Sequence, residues 1–126
     1  MSRIRVLVID DDRASIAAIE LLLVSAQMDV FTLDSPIGAT QLILRESIDC
    51  VVCDLDMPAM RGDAFARFFR KTRLFDRVRL ILLSAATHEQ LREVEDQRVA
   101  DVVMHKSEAR AHLPAMIRRT VGGART

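Results

Sequence analysis

The chain has 126 residues, half of them apolar, so we expect a single domain that buries a sizeable core. Its 18 basic residues balance its 18 acidic residues, which excludes a global field that would attract nucleic acid or an anionic membrane, and we expect neither partner. No apolar stretch reaches the roughly 20 residues that span a bilayer, and residues 1–5 lack a signal-peptide pattern, so we expect a cytoplasmic protein.

The first elements of the chain are predicted to be a strand, a helix and a second strand. Residues 5–9 form a β-branched apolar run ended by aspartates, which is typical of a strand buried on both faces. Asp12 can cap the following helix by accepting the backbone N–H of Ala14 or Ser15. Residues 29–33 are again strand-like, so the alternation of strand and helix continues.

The middle of the chain repeats the pattern. Ser35 followed by Pro36 predicts the N-cap and first turn of the second helix. The apolar positions of that helix are Ile37, Leu42 and Ile43. A third strand is predicted over residues 48–53 and a third helix over 63–74. The side chains of the third helix that we expect to face the core are Phe65, Phe68 and Phe69.

The C-terminal part adds two more strands and two more helices. A fourth strand is predicted over residues 78–83, and Thr87 with Gln90 has the spacing of a capping box that opens a fourth helix. A fifth strand over 101–104 precedes a last amphipathic helix. We expect Pro114 to limit that helix, because an internal proline loses a hydrogen bond and clashes with the preceding turn.

These elements predict an α/β fold with a doubly wound five-stranded parallel sheet and five helices, flavodoxin-like, in strand order 2-1-3-4-5. Right-handed crossovers place helices on both faces of such a sheet, and its ligands bind beyond the carboxyl ends of the strands. We expect the domain to cover residues 1–121 and residues 122–126 to be a C-terminal tail or a truncated linker.

Two local features have simpler explanations than the functions they suggest. The basic residues between positions 67 and 79 lie on a helix and the loop after it, so we expect a solvated face rather than a nucleic-acid site. Cys50 and Cys53 form a C-x-x-C pattern, which elsewhere indicates a redox pair or half a zinc site. Here both lie in one predicted strand and point to opposite faces, about 10 Å apart along it, so they cannot form a disulfide or share a metal.

Polar side chains follow the strands at one edge of the predicted sheet. Asp10 and Asp11 follow the first strand, Asp54 follows the third, Ser84 the fourth and Lys106 the fifth. Carboxylates that converge in this way repel one another unless a cation joins them, and their oxygens suit a hard ion such as Mg²⁺. With the metal present, one carboxylate can attack a phosphoryl donor while the lysine stabilises the transferring oxygens and the serine donates a hydrogen bond.

The same positions carry a family resemblance. The motifs are Val8-Ile9-Asp10-Asp11-Asp12, Asp54-Leu55-Asp56-Met57-Pro58 through Gly62, Leu83-Ser84-Ala85, and Lys106. In this order they resemble bacterial two-component response-regulator receiver domains, over about residues 4–121. The resemblance implies that Asp54 accepts a phosphoryl group from a sensor histidine kinase or a histidine phosphotransfer protein. It implies a phosphoacceptor rather than an enzyme, with at most self-phosphorylation from small donors and slow self-dephosphorylation.

The resemblance also assigns roles to the surrounding residues. The implied ligands of Mg²⁺ or Mn²⁺ are Asp10, Asp11, Asp54 and the backbone carbonyl of Asp56. Ser84 is the implied switch hydroxyl, Lys106 contacts the phosphate, and Asp12 is mainly a helix cap. Phosphorylation would change the contacts with a downstream protein that the sequence does not identify, in a monomer or a phosphorylation-dependent homodimer.

Two departures from the family leave alternatives open. Val103 stands where the family usually has an aromatic residue, and Ser107 stands where it usually has a proline. Without an aromatic ring, the usual inward rotation cannot report the state of Ser84, so we expect the signal to use another surface or a partner that reads the loop directly. The departures at Val103 and Ser107 also leave open a receiver-like binding module that is independent of phosphate. A third hypothesis is a haloacid-dehalogenase-type phosphatase, since Asp54-Leu55-Asp56 resembles its catalytic pair. Against it, Pro58 replaces the usual threonine and the chain has no room for a cap.

Overall fold

The computed structural model describes residues 3–57, 62–73 and 76–124. Its elements in chain order are β1 (Arg5–Ile9), α1 (Arg13–Ser25), β2 (Asp29–Leu33), α2 (Ala39–Arg45), β3 (Cys50–Asp54), α3 (Gly62–Lys71), β4 (Arg79–Ser84), α4 (His88–Asp96), β5 (Val102–His105) and α5 (Lys106–Ala124). The five strands are parallel and lie in the order β2-β1-β3-β4-β5, which confirms the predicted sheet. Within these ranges, no helix is long and apolar enough to cross a membrane.

Each face of the sheet is covered by its own group of helices. Helices α1 and α5 pack on one face, and α2, α3 and α4 pack on the other. Cys50 belongs to the first of these cores and Cys53 to the second, so the two thiols do point to opposite faces. Burial raises the pKa of both thiols, which keeps them protonated, and both cysteines are free.

Two helices begin as the sequence predicts. The carboxylate of Asp12 accepts the N–H of Ala14 at 3.0 Å and caps α1. At α4, the hydroxyl of Thr87 accepts the N–H of Gln90 at 3.3 Å, and the Gln90 side chain accepts the N–H of Thr87 at 3.2 Å. Both bonds of the predicted capping box are therefore present.

The predicted start of α2 was wrong. The helix begins at Ala39, and its N-cap is Gly38, whose φ of 86° lies in the left-handed region. The hydroxyl of Ser35 instead accepts the N–H of Ile37 at 3.3 Å and closes a turn before the helix. Because a right-handed helix cannot pass through the conformation of Gly38, Ile37 lies outside the helix and its side chain is 82% exposed.

One of the three phenylalanines of α3 was also assigned to the wrong side. Phe65 and Phe69 are buried, with 5.9 Å between their ring centroids, but the Phe68 side chain is 53% exposed. The third buried residue of this helix face is Ala66, so the core-facing stripe runs along one side of Phe65 and leaves Phe68 at its margin. The helix also ends at Lys71, earlier than the predicted end at about residue 74, which itself lies outside the described residues.

Pro114 does not limit α5, contrary to the prediction. The helix runs from Lys106 to Ala124 with Pro114 inside it. The fully or nearly fully buried side chains of this helix are Leu113, Ile117 and Val121. Each such side chain contributes about 1.5 to 3 kcal/mol, so together they exceed the roughly 3 kcal/mol that an internal proline costs. Tertiary packing therefore overrides the local preference, and the helix continues past residue 121.

Three strands end one residue later than predicted. Strand β3 ends with Asp54, β4 ends with Ser84 and β5 ends with His105. These residues thus belong to the sheet itself, and Lys106 follows directly as the first residue of α5. Asp54 and Ser84, at the carboxyl edge of the sheet, are consequently held on hydrogen-bonded strands rather than on loops.

The substitution Pro114→Ala tests the account of α5. Alanine restores the missing N–H and removes the ring clash, so we expect the free energy of unfolding to rise by about 2 kcal/mol. Urea denaturation followed by circular dichroism measures the change, with Gly122→Ala on the same helix as a control for helix propensity alone, expected to add about 0.5 to 1 kcal/mol. A loss of stability in Pro114→Ala would show that the ring makes packing contacts that the helix needs.

Candidate functional site

The carboxyl edge of the sheet brings the predicted site residues together. Asp10 directly follows β1, while Asp54 and Ser84 end their strands, and Lys106 opens α5. Asp10, Asp54 and Ser84 are also the polar residues that are buried within the described part of the chain. Segments that are far apart in sequence therefore meet in one pocket, as the parallel sheet predicts.

Three carboxylates form the acidic part of the pocket. One oxygen each from Asp10, Asp11 and Asp54 lies within 4.8 Å of the others. Asp10 is 2% exposed and Asp54 is 5% exposed, whereas Asp11 faces solvent. Charges that water cannot screen repel strongly at this separation, and clustered carboxylate oxygens fit the preference of Mg²⁺ for hard oxygen ligands.

Lys106 is the cation that two of these carboxylates contact. Its Nζ lies 3.2 Å from Oδ2 of Asp10 and 3.6 Å from Oδ2 of Asp54. Burial by itself disfavours the ammonium, but the two carboxylates outweigh it and raise the pKa of Lys106. The lysine is therefore charged at neutral pH and already stands beside the oxygen of Asp54.

Backbone hydrogen bonds orient the two buried carboxylates. Oδ1 of Asp54 accepts the N–H of Asp56 at 3.1 Å, and Oδ1 of Asp10 accepts the N–H of Asp12 at 2.9 Å. In both side chains Oδ2 is the oxygen that contacts Lys106. Burial nevertheless dominates at Asp54 and raises its pKa above the usual aspartate range, with the N–H of Asp56 and the lysine opposing the shift.

The sequence did not predict the role of the Asp56 side chain. The hydroxyl of Ser84 donates to Oδ2 of Asp56 at 2.7 Å and accepts the N–H of Ala86 at 2.9 Å. Only the backbone carbonyl of Asp56 was assigned a role, as a metal ligand, and that role stays a prediction. The sequence does place the two residues near each other, because Asp56 follows β3 and Ser84 ends the neighbouring strand, so their side chains are within reach.

The comparisons with known proteins agree with this geometry. The profile of a family described as "Response regulator receiver domain" matches residues 6–118. The chain belongs to the response regulator receiver domain family. Receiver domains of this family are parts of two-component systems, and they take their signal from phosphodonor partners such as histidine kinases. This membership favours the receiver hypothesis over the haloacid-dehalogenase-type phosphatase.

Curated relatives extend well beyond this receiver domain. The chain is 30% identical over 126 residues to the cell cycle transcriptional regulator CtrA of Caulobacter vibrioides, with 97% of this chain and 54% of that protein covered. The cell cycle response regulator CtrA of Brucella ovis is also 30% identical, with 97% of this chain and 53% of that protein covered. The chain thus spans about half the length of the curated relatives it matches.

Solved structures share the fold at low sequence identity. A CheY-like response regulator receiver domain protein from Methanospirillum hungatei JF-1 superposes with a TM-score of 0.84 at 18% identity, covering 98% of both chains. A sensor protein from Polaromonas sp. JS666 superposes with a TM-score of 0.88 at 20% identity, covering 98% of this chain and 99% of that one. These likenesses establish the receiver fold of the chain.

The raised pKa of Asp54 predicts how stability depends on pH. A carboxyl group whose pKa is higher in the folded state destabilises the fold once it ionises, so its cost appears as pH rises above the unfolded value of about 3.9. In metal-free buffer, Asp54→Asn should therefore be more stable than the parent at neutral pH. The difference should shrink below about pH 4. Urea denaturation at several pH values measures it.

Asp12→Asn is the control for Asp54→Asn, because the pKa of Asp12 is shifted in the opposite direction. Its carboxylate accepts the N–H of Ala14, and this hydrogen bond lowers the pKa of Asp12. Its contribution is present at neutral pH and is lost as pH falls, so removal of this charge should not stabilise the protein. If Asp54→Asn were no more stable than the parent at neutral pH, the burial of a charged carboxylate would not be the dominant effect at this site.

Proposed function

We propose that this receiver domain is a phosphoacceptor in which Asp54 takes a phosphoryl group in a Mg²⁺-dependent reaction and thereby switches contacts with a partner protein. The observation that carries the proposal is the arrangement around Asp54. This carboxylate is 5% exposed, 3.6 Å from the Lys106 ammonium and clustered with two further carboxylates. A buried nucleophile with a fixed cation and a preformed metal-ligand set is what phosphoryl transfer by positioning requires.

The reaction follows from these contacts. A carboxylate oxygen of Asp54 attacks the phosphorus of a phosphohistidine, the P–N bond breaks, and the leaving imidazole takes a proton. The N–H of Asp56 holds Oδ1 of Asp54 in place, and Lys106 lies at Oδ2, where it neutralises charge on the transferring oxygens. The new bond is an acyl phosphate at Asp54, and no other residue of the chain needs to react.

The proposed metal ligands are the carboxylates of Asp10, Asp11 and Asp54 with the backbone carbonyl of Asp56. The donor set fits Mg²⁺, or Mn²⁺, because all ligands are oxygens and three of them converge within 4.8 Å. When bound, the ion supplies positive charge for the carboxylates and for the incoming phosphoryl oxygens. Asp10 keeps its orientation through the N–H of Asp12 at Oδ1, and its Oδ2 contacts Lys106, so the carboxylate is held at the pocket before any ligand arrives.

The switch that we propose is a change of partner for the hydroxyl of Ser84. Without phosphate this hydroxyl donates to Asp56. A phosphoryl group on Asp54 brings new charged acceptor oxygens to the same edge, and the hydroxyl turns to them and leaves Asp56. Ser84 ends β4 only a few residues before α4, so its movement shifts the start of α4 and the surface read by the partner.

The proposed partners follow from this chemistry. The donor is a sensor histidine kinase or a histidine phosphotransfer protein, in the cytoplasm, and the reader is a downstream protein that distinguishes the two states. The domain itself turns over no substrate beyond self-phosphorylation from small donors and slow self-dephosphorylation. The phosphate-independent alternative rests on Ser107 and on Val103, a half-buried aliphatic residue that cannot report the state of Ser84 by rotation of a ring.

Incubation with acetyl phosphate and Mg²⁺ tests the phosphoacceptor directly. Intact mass spectrometry should show one phosphoryl group per chain, absent when a chelator removes the metal and absent in Asp54→Asn. Asp12→Asn is the matched control, since it changes a neighbouring aspartate that caps a helix and should keep the adduct. A folded parent that takes up no phosphoryl group would contradict the proposal and favour the phosphate-independent binding module.

Ser84→Ala separates the switch from the phosphorylation. Loss of the hydroxyl removes the hydrogen bond to Asp56 but leaves Asp54 and Lys106 in place. We expect the variant to accept one phosphoryl group, with the change in amide hydrogen exchange at α4 reduced at least several-fold relative to the parent. If the exchange response of the variant equals that of the parent, Ser84 does not carry the switch.

A further inference from the structure

Helix α1 carries an apolar stripe on the side that faces away from the core. The exposed apolar residues of this stripe recur every three or four positions and lie along one face: Ala14, Ala17, Ala18, Leu21 and Val24. Leu21 is 69% exposed and Val24 is 49% exposed. On the opposite side of the helix, Ile19 and Leu23 are buried in the core. Helix α1 is therefore apolar on both sides, which is typical of a helix that is covered on both sides.

The charges around this stripe have opposite signs at its two ends. Asp12, at the N-terminus of α1, is exposed. Toward the C-terminus of α1, two cations of α5 lie beside the helix. Arg110 lines a groove between the two helices together with Leu22, and Arg118 donates a hydrogen bond to the carbonyl of Ala26. An antiparallel pair of such helices brings each acidic end against a basic end, whereas a parallel pair places like charges side by side.

Arg13 and Glu20 have the same complementarity along one edge of the stripe. They are seven residues apart, about two turns of helix, so their side chains lie on the same edge. Both are exposed, and neither forms an ion pair within the described part of the chain. In an antiparallel pair with a two-fold axis near Ala17, Arg13 lies opposite Glu20 of the partner subunit, and this ion pair occurs twice.

We propose that two copies of this chain associate through α1, with the two helices antiparallel about a two-fold axis near Ala17. A two-fold interface must be complementary to itself, and this face meets that condition in shape as well as in charge. In this arrangement Leu21 lies opposite Ala14 of the partner subunit, so a large side chain meets a small one. The alanines let the two helices approach closely, and the contact covers both exposed large residues of the stripe.

The size of the face predicts a weak and reversible dimer. Helix α1 has 13 residues, so the contact is about 20 Å long and about 10 Å wide. Stable complexes bury roughly 800 Å² per partner, which is more than one helix of this length offers. We therefore expect a dissociation constant of roughly 10 to 500 µM.

This dimer differs from the phosphorylation-dependent homodimer that the family resemblance implies. The stripe is exposed in the unphosphorylated protein, and its residues form none of the contacts that hold Asp54. The association therefore needs no phosphoryl group, and it is tested on the unphosphorylated chain. Asp54→Asn should associate as the parent does, whatever the result of the phosphorylation experiment.

Sedimentation equilibrium of the full chain between about 10 µM and about 1 mM, without a phosphodonor, tests the proposal. The average mass of the parent should rise with concentration from that of one chain toward that of two. Leu21→Glu places a charge in the apolar contact and should weaken the association at least tenfold. Leu44→Glu is the matched control, since Leu44 is 50% exposed on α2 and should leave the association unchanged. Circular dichroism verifies that both variants are folded.

Exchange of the two edge charges tests the antiparallel arrangement. Arg13→Glu and Glu20→Arg each place like charges opposite one another and should weaken the association several-fold. The double variant restores opposite charges at both positions and should associate as the parent does. A parent that stays monomeric at about 1 mM, or unchanged association in Leu21→Glu, would overturn the proposal. A double variant that associates no better than the single variants would overturn the antiparallel arrangement.

Discussion

The parallel sheet brings three carboxylates together at its carboxyl edge. Their mutual repulsion is the constraint that the rest of the structure has to accommodate. Two unit charges about 4 Å apart repel by about 4 kcal/mol at an effective dielectric constant of 20, and here three carboxylates have oxygens within 4.8 Å of one another. A single ammonium, that of Lys106, contacts two of them. The fold must therefore hold this cluster against its own charge, and a bound cation would reduce that repulsion.

The free energy gained by burying the hydrophobic core offsets the unfavourable free energy of the clustered carboxylates. Both faces of the sheet are covered, the central strands β1, β3 and β4 are almost wholly buried, and Asp10, Asp54 and Ser84 sit at the last positions of those strands or directly after them. At the opposite edge, Asp101 accepts the N–H of Leu80 at 2.8 Å and pairs with Arg70 and Arg79. The amino edge is thus held by an aspartate that binds both the backbone and two arginines.

Much of this arrangement could be predicted from the sequence. The parallel sheet with helices on both faces, the cap at Asp12, the capping box at Thr87 and the convergence of Asp10, Asp54 and Lys106 follow from apolar runs and from the polar residues that end them. The errors have local causes: Gly38 adopts a left-handed conformation that delays α2, and burial along α5 outweighs the cost of Pro114. The contact between Ser84 and Asp56 could not be deduced, because it depends on side-chain orientation across two strands.

The most direct test of the central claim is the free energy of unfolding in Mg²⁺ compared with chelator. If the carboxylate cluster is a metal site, the parent should gain about 2.7 kcal/mol at a free Mg²⁺ concentration one hundred times the dissociation constant. Asp11→Asn, which removes an exposed carboxylate of the cluster, should lose most of that gain, whereas Asp49→Asn at the opposite edge should keep it. Equal stability of the parent with and without Mg²⁺ would contradict the account.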